Sequence, residues 1–278
     1  MPLNDNRRKI LVLSCFLMII GAVTIYYRSM QDEPTGLIQL EPCSGTLTIL
    51  YDNYLYDSDC RPEWGFSCLI ETDDTVILFD TGGDPNILSN NIEALNVDIS
   101  LIDCIVISHE HWDHIGGIEV ILSQKPGLPV YVPEGFPYHI KSSIRSMGGN
   151  CVETINATMI CDSVCTTNTL NGPPLEQALM IKTEDGIILV TGCSHPGIEN
   201  LARNAFELTG ESIQLAIGGY HLGSSSASQL NAICDELDEI GVLSVAATHC
   251  TGDSSIEYFR ERYGGNFIES GVGFNIGF

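Results

Sequence analysis

Four candidate metal ligands, His109, His111, Asp113 and His114, fall within one hexapeptide of this 278-residue chain, His109-Glu110-His111-Trp112-Asp113-His114. In extended backbone, residues two apart project to the same side, so His109 and His111 face together. Asp113 and His114, at the start of the helix predicted next, turn back toward them. Three imidazoles and a carboxylate suit two adjacent divalent ions, each taking deprotonated nitrogen or oxygen donors at about 2.0–2.2 Å. A surface turn held by packing alone has no need of such a set.

Three further histidines stand alone in Gly-, Ser- or Thr-rich turns: His195 in Thr191-Gly192-Cys193-Ser194-His195-Pro196-Gly197, His221 in Gly218-Gly219-Tyr220-His221-Leu222, and His249 in Thr248-His249-Cys250-Thr251-Gly252. One histidine before a helix is more often a cap than a ligand. Three of them after successive predicted strands read differently, because the carboxyl ends of strands in an α/β sheet converge on one crevice. His195 and His249 are therefore expected as metal ligands, and His221 as a member of the site. His139, in Pro137-Tyr138-His139-Ile140, has no such context.

The elements that must position these residues are short. Thr46–Tyr51, Ser67–Thr72 and Thr75–Asp80 read as β-branched strands divided by turn residues. A helix is predicted over Pro85–Leu95, a buried strand over Ile102–Ile107 leading into the histidine cluster, and a helix over Ile115–Ser123. Residues 127–174 show no clear period. Strands follow at Gln177–Lys182, Ile187–Thr191, Ile213–Ile217 and Leu243–Ala247, with amphipathic helices over 197–209, 226–240 and 253–263. Strands alternating with helices, plus hairpins, predict an α/β fold with a mixed sheet.

With these motifs in place, the chain resembles the metallo-β-lactamase superfamily, over about residues 45–278. Phe79-Asp80-Thr81-Gly82-Gly83 is similar to that superfamily's first motif. The three single-histidine turns, with Asp52-Asn53 and Glu176-Gln177-Ala178-Leu179, resemble its dihydropteroate-synthase-like branch. The resemblance implies an αββα sandwich. It also implies one or two Zn²⁺ ions, or Fe or Mn, with His109, His111 and His195 at one position and Asp113, His114 and His249 at the other. Asp80 would orient a ligand from behind. Asp52 and Asn53, after the first strand, either line the pocket or form a plain turn pair. Dinuclear members place a bridging Asp after a late strand. Ile217 to Leu222 offers no carboxylate, so the second ion is expected to bind more weakly. Asp113 and His221 are the residues expected to assist the chemistry itself. The function implied is hydrolysis of a small anionic ester or phosphoester by metal-activated water. The rivals are a transferase, as in the pterin synthase that typifies the branch, and a non-catalytic metal-binding ectodomain.

Charge narrows the partners. The chain has 12 Lys and Arg against 36 Asp and Glu, a formal net charge of −24. The basic residues beyond residue 30 are scattered, so no run of cations is available to track nucleic-acid phosphates. Residues 1–30 form a separate object. Arg7-Arg8-Lys9 precedes an uncharged run, Ile10 to Tyr27, long enough at about 1.5 Å per residue to span roughly 27 Å of hydrocarbon. Its exit through Tyr26-Tyr27-Arg28 suits an interfacial anchor better than a cleavage site. The expected plan is thus a cytoplasmic basic flank and transmembrane signal anchor (1–30), a linker (31–44) and a membrane-anchored catalytic domain (45–278) outside the cytoplasm. There are 11 cysteines. Export would permit bridges, with Cys60–Cys68 and Cys161–Cys165 as local candidates.

Overall fold

The structure, a computed structural model, describes residues 36–278. The expected anchor at Ile10–Tyr27 lies outside those residues. Among the described residues, no helix is long and apolar enough to cross a membrane.

Period-two patterning sorts the apolar side chains of the first half onto two faces. The strands are β1 (Gly45–Tyr51), β2 (Ser67–Thr72), β3 (Val76–Phe79), β4 (Cys104–Val106), β5 (Pro129–Pro133) and β6 (Asn150–Thr154). With the C-terminal β14 (Asn275–Gly277) they form a seven-stranded sheet ordered β14-β1-β2-β3-β4-β5-β6. The first three junctions are antiparallel, and those from β3 to β6 are parallel. Cys68, Ile70, Ile77, Phe79, Cys104 and Val106 point to one core. Their neighbours Leu69, Leu78 and Ile105 point to another, which is covered by helices α1 (Pro85–Ala94), α3 (Ile118–Leu122) and α4 (Tyr138–Ser146).

The second half builds the opposing sheet. Its strands are β7 (Val164–Thr166), β10 (Leu179–Thr183), β11 (Gly186–Thr191), β12 (Ile213–Gly219) and β13 (Val242–Thr248), in the order β13-β12-β11-β10-β7. A two-stranded ribbon, β8 (Leu170–Asn171) with β9 (Leu175–Glu176), precedes β10. Val164, Leu179, Ile181, Ile188, Val190, Leu215 and Ile217 enter the same core as the inner face of the first sheet. Helices α5 (Ile198–Thr209), α6 (Ala227–Ile240) and α7 (Asp253–Tyr263) bury Leu201, Ala205, Leu230, Leu237 and Phe259, and pack against β11, β12 and β13. The result is four layers, helix, sheet, sheet and helix, as the sequence implied.

Two differences have local causes. The helix predicted over Ile115–Ser123 is divided into α2 (Trp112–Ile115) and α3 by Gly116-Gly117. Gly116 abuts the backbone of Gly83, where an added Cβ would collide with its carbonyl. Residues 127–174, irregular in pattern, contain four strands and a helix. The ten described cysteines are free thiols. Cys68 is in the core between the sheets, and Cys165 donates to the Thr166 carbonyl at 3.2 Å, so neither predicted local bridge forms.

Candidate metal centre

The carboxyl ends of β4, β11, β12 and β13 carry the loops that hold the histidines, and those of β1 and β3 carry the groups behind them. Five non-glycine described residues have positive φ: Asp80, Asn96, Ser194, His221 and His249. Four of these stand at strand ends in the site. L-residues in this conformation are uncommon and persist where surrounding contacts over-determine them.

Asp80 organises the first loop. Its carboxylate accepts from Ser108 N at 2.7 Å, from Ser108 Oγ at 2.6 Å and from His114 Nδ1 at 2.7 Å. Because the Ser108 hydroxyl is spent on Asp80, the contact of Ser108 Oγ with His109 Nδ1 at 2.9 Å must be a donation from the ring. The Nε2 atom of His109 is then a free lone pair, and that of His114 becomes one once the ring gives up its second proton. Gly192 completes this arrangement by closeness: a Cβ there would strike Ser108 Oγ. On the other side, Asn53 Nδ2 donates to the His249 carbonyl at 3.2 Å, which turns its Oδ1 to accept from His249 Nδ1 at 2.8 Å. His249 Nε2 therefore faces the site as well.

Six donors gather in two groups. His111 Nδ1 lies 3.1 Å from His109 Nε2 and 3.2 Å from His195 Nε2. Asp113 Oδ2 lies 3.7 Å from His114 Nε2 and 3.5 Å from His249 Nε2. His109, Asp113, His114 and His249 form the buried floor, while His111 and His221 are exposed. The His221 ring is 4.3 Å from that of His195. His139 is exposed on α4, apart from both groups.

These residues fit a divalent cation. His249 Nε2 is buried with no hydrogen-bond partner, an exception that a ligand lone pair explains. Burial and the neighbouring imidazoles push His109 well below the ordinary histidine range. Burial, then His221 and His111, bring His195 down to about 3. Both rings are thus neutral donors, as ligation requires. Burial favours neutral His114 too, but the Asp80 carboxylate outweighs it and raises this ring to about 9. For Asp113, burial opposes ionisation, while His249 and His114 more than compensate and hold the carboxyl well below its usual range.

The metallo-β-lactamase superfamily profile matches residues 63–146, which contain the whole hexapeptide. A solved metal-dependent hydrolase of the β-lactamase superfamily shares 25% identity and a TM-score of 0.71, over 84% of this chain and 98% of that one. Over residues 63–146 the chain is thus similar to the metallo-β-lactamase superfamily. It is also 26% identical to the 7,8-dihydropterin-6-methyl-4-(β-D-ribofuranosyl)-aminobenzene-5′-phosphate synthase of Methanocaldococcus jannaschii, over 79% of this chain and 92% of that protein. The metallo-β-lactamase fold protein YhfI from Bacillus subtilis has the same fold, with a TM-score of 0.64 at 16% identity over 85% of this chain and 100% of that one.

Within this domain, some residues hold positions that sequence spacing does not disclose. Asp52 is fully buried, accepting from Tyr54 N and Thr248 Oγ1, both at 2.8 Å. It ties β1 to the end of β13 rather than facing the pocket, and burial raises its carboxyl to about 6. Glu176, noted only as part of a motif, cradles the His195 loop: its carboxylate accepts from Cys193 N at 2.9 Å, Ser194 N at 2.8 Å and His195 N at 2.7 Å. A carboxylate beside the apolar Ala178-Leu179 run was the available signal. Cys193, which the sequence shows only as a member of the His195 turn, also reaches the site. Its thiol sits 3.3 Å from His114 Nε2 and within reach of His109 and His195.

Proposed function

We propose that this domain is a metal-dependent hydrolase of a small anionic ester or phosphoester. Its ion is zinc, with iron or manganese as the other candidates for this donor set. His109, His111 and His195 would hold one ion, and Asp113, His114 and His249 a second. The observation that carries this reading is the convergence of six donors, one of them an orphaned buried imidazole nitrogen, at the carboxyl edge of the sandwich. When bound, the ion supplies Lewis acidity toward the acceptor oxygen and makes water nucleophilic near neutral pH. Asp113, ionised on the floor of the site, accepts a hydrogen bond from attacking water and fixes its direction. His221, exposed at the rim, is raised by its hydrogen bond to Cys250 against the effect of burial. It donates to the leaving group or to developing negative charge. Substrate charge is met by the ions, since a chain of net charge −24 supplies few cations of its own.

The likeness to a synthase over 79% of this chain favours a second reading, a transferase in which an amine replaces water as the nucleophile. The metal-loaded full-length protein, assayed on generic phosphomonoester, phosphodiester, carboxylester and lactam substrates, separates the two. Hydrolysis that stops with chelator and returns with zinc supports the first reading. Turnover that appears only when an arylamine acceptor is added supports the second. No turnover in either format, at full metal occupancy, leaves a metal-binding ectodomain. We further propose that Ile10–Tyr27 anchors this domain at the outer face of a membrane. The full-length chain should then resist carbonate extraction from membranes, and release into the soluble fraction would refute the anchor.

A further inference from the structure

A metal centre with two groups of donors needs something to link them, and Ile217–Leu222 holds no carboxylate to do so. The structure places another anionic group between the two. Among the described residues, three sets of side chains can close on one ion: His109 with Cys193 and His195, His114 with Cys193 and His249, and Cys193 with His221 and Cys250. Cys193 Sγ is common to all three, and within each set the ligand atoms lie within 4.8 Å of one another. The thiol is buried, and its position is imposed rather than incidental. The Cys193 and Ser194 amides are gripped by Glu176, Ser194 Oγ donates to the Gly219 carbonyl at 2.7 Å, and Ser194 takes a positive φ. The orphaned Nε2 of His249 belongs to one of the sets Cys193 completes.

We propose that Cys193 is a thiolate ligand shared by both metal positions, the anion that joins them. A thiolate is a strong, soft donor that favours zinc, iron or cobalt over magnesium or calcium. Ligation exchanges the thiol proton for the metal, so the proton leaves to solvent and no redox partner is involved. The second position therefore holds its ion more tightly than its two histidines and Asp113 alone would allow. This inference rests on the domain's being a metalloprotein, but its test separates the two claims.

The test is cobalt loading of the full-length protein, read by metal content and by near-ultraviolet absorption, where thiolate-to-cobalt charge transfer appears and imidazole or carboxylate ligation gives none. The wild type should bind about two ions per chain and show the band, and Cys193→Ser should lose the band and retain about one ion at most. Cys193→Asp should lack the band yet restore the second ion, which shows that the fold survives and that an anion is what the position supplies. Cys250→Ser should keep both the band and the stoichiometry. A wild type that binds cobalt without the band overturns the proposal, as does a Cys193→Ser protein that keeps band and stoichiometry, or a band that vanishes with Cys250→Ser. A wild type that binds no cobalt at all overturns the metalloprotein reading and this proposal together.

Discussion

At the scale of residues, His114 and Asp80 show how the site trades stability for ligation. The buried pair, 2.7 Å apart, holds His114 protonated up to about 9 in the metal-free protein, whereas an unfolded histidine titrates near 6.5. A raised histidine pKa contributes stability that is complete below the unfolded value and lost as pH climbs through the folded one. Buried Glu176, raised to about 7, adds a loss of the same sign at the lower end of that window. Thermal unfolding of chelator-treated protein should therefore show a stability decline on the order of 3 kcal/mol between pH 6.5 and 9. A melting temperature that rises across this window would contradict the pairing. Metal binding should strengthen over the same interval, because the proton on His114 must leave. His221 gives a second test. As a group that touches substrate rather than metal, its change in His221→Ala should lower turnover by roughly 10²–10⁴ with metal content unchanged. Loss of metal would make it a ligand instead.

At the scale of elements, the strand ends were readable and their supports were not. His109, His111, Asp113 and His114 stand out by density alone, and His195 and His249 by recurrence after predicted strands. Asn53, Glu176 and Cys193 leave no comparable trace, since each acts through a partner far away in the chain: Asn53 through His249, Glu176 through the 193–195 amides, Cys193 through His114. The strands with β-branched runs fall within a few residues of their predicted limits. The elements between 127 and 174 are short and interspersed with Pro, Gly and Asn, so local pattern cannot separate them from loops. The split of α2 from α3 depends on a contact with Gly83 that no local pattern contains. Glu176→Ala would leave three buried amides without an acceptor at about 1–3 kcal/mol apiece. The variant should melt several degrees lower and bind metal more weakly at His195, as measured by calorimetry and metal analysis. Unchanged values for both would mean that the loop holds itself.

At the scale of the whole molecule, the sandwich brings the ends of strands from both sheets to one edge, so candidate ligands 140 residues apart in sequence, His109 and His249, sit on one floor. The superfamily profile matches residues 63–146, while the anchor predicted for the N-terminus belongs to sequence alone. The central claim is that the converged side chains are a metal centre. Elemental analysis of the full-length protein, purified without chelator, tests it most directly. The wild type should carry at least about one zinc, iron or manganese ion per chain, and His195→Ala should carry less because a three-histidine position is cut to two. A wild type that is metal-free as purified, and stays so after reconstitution with each ion, would contradict the account.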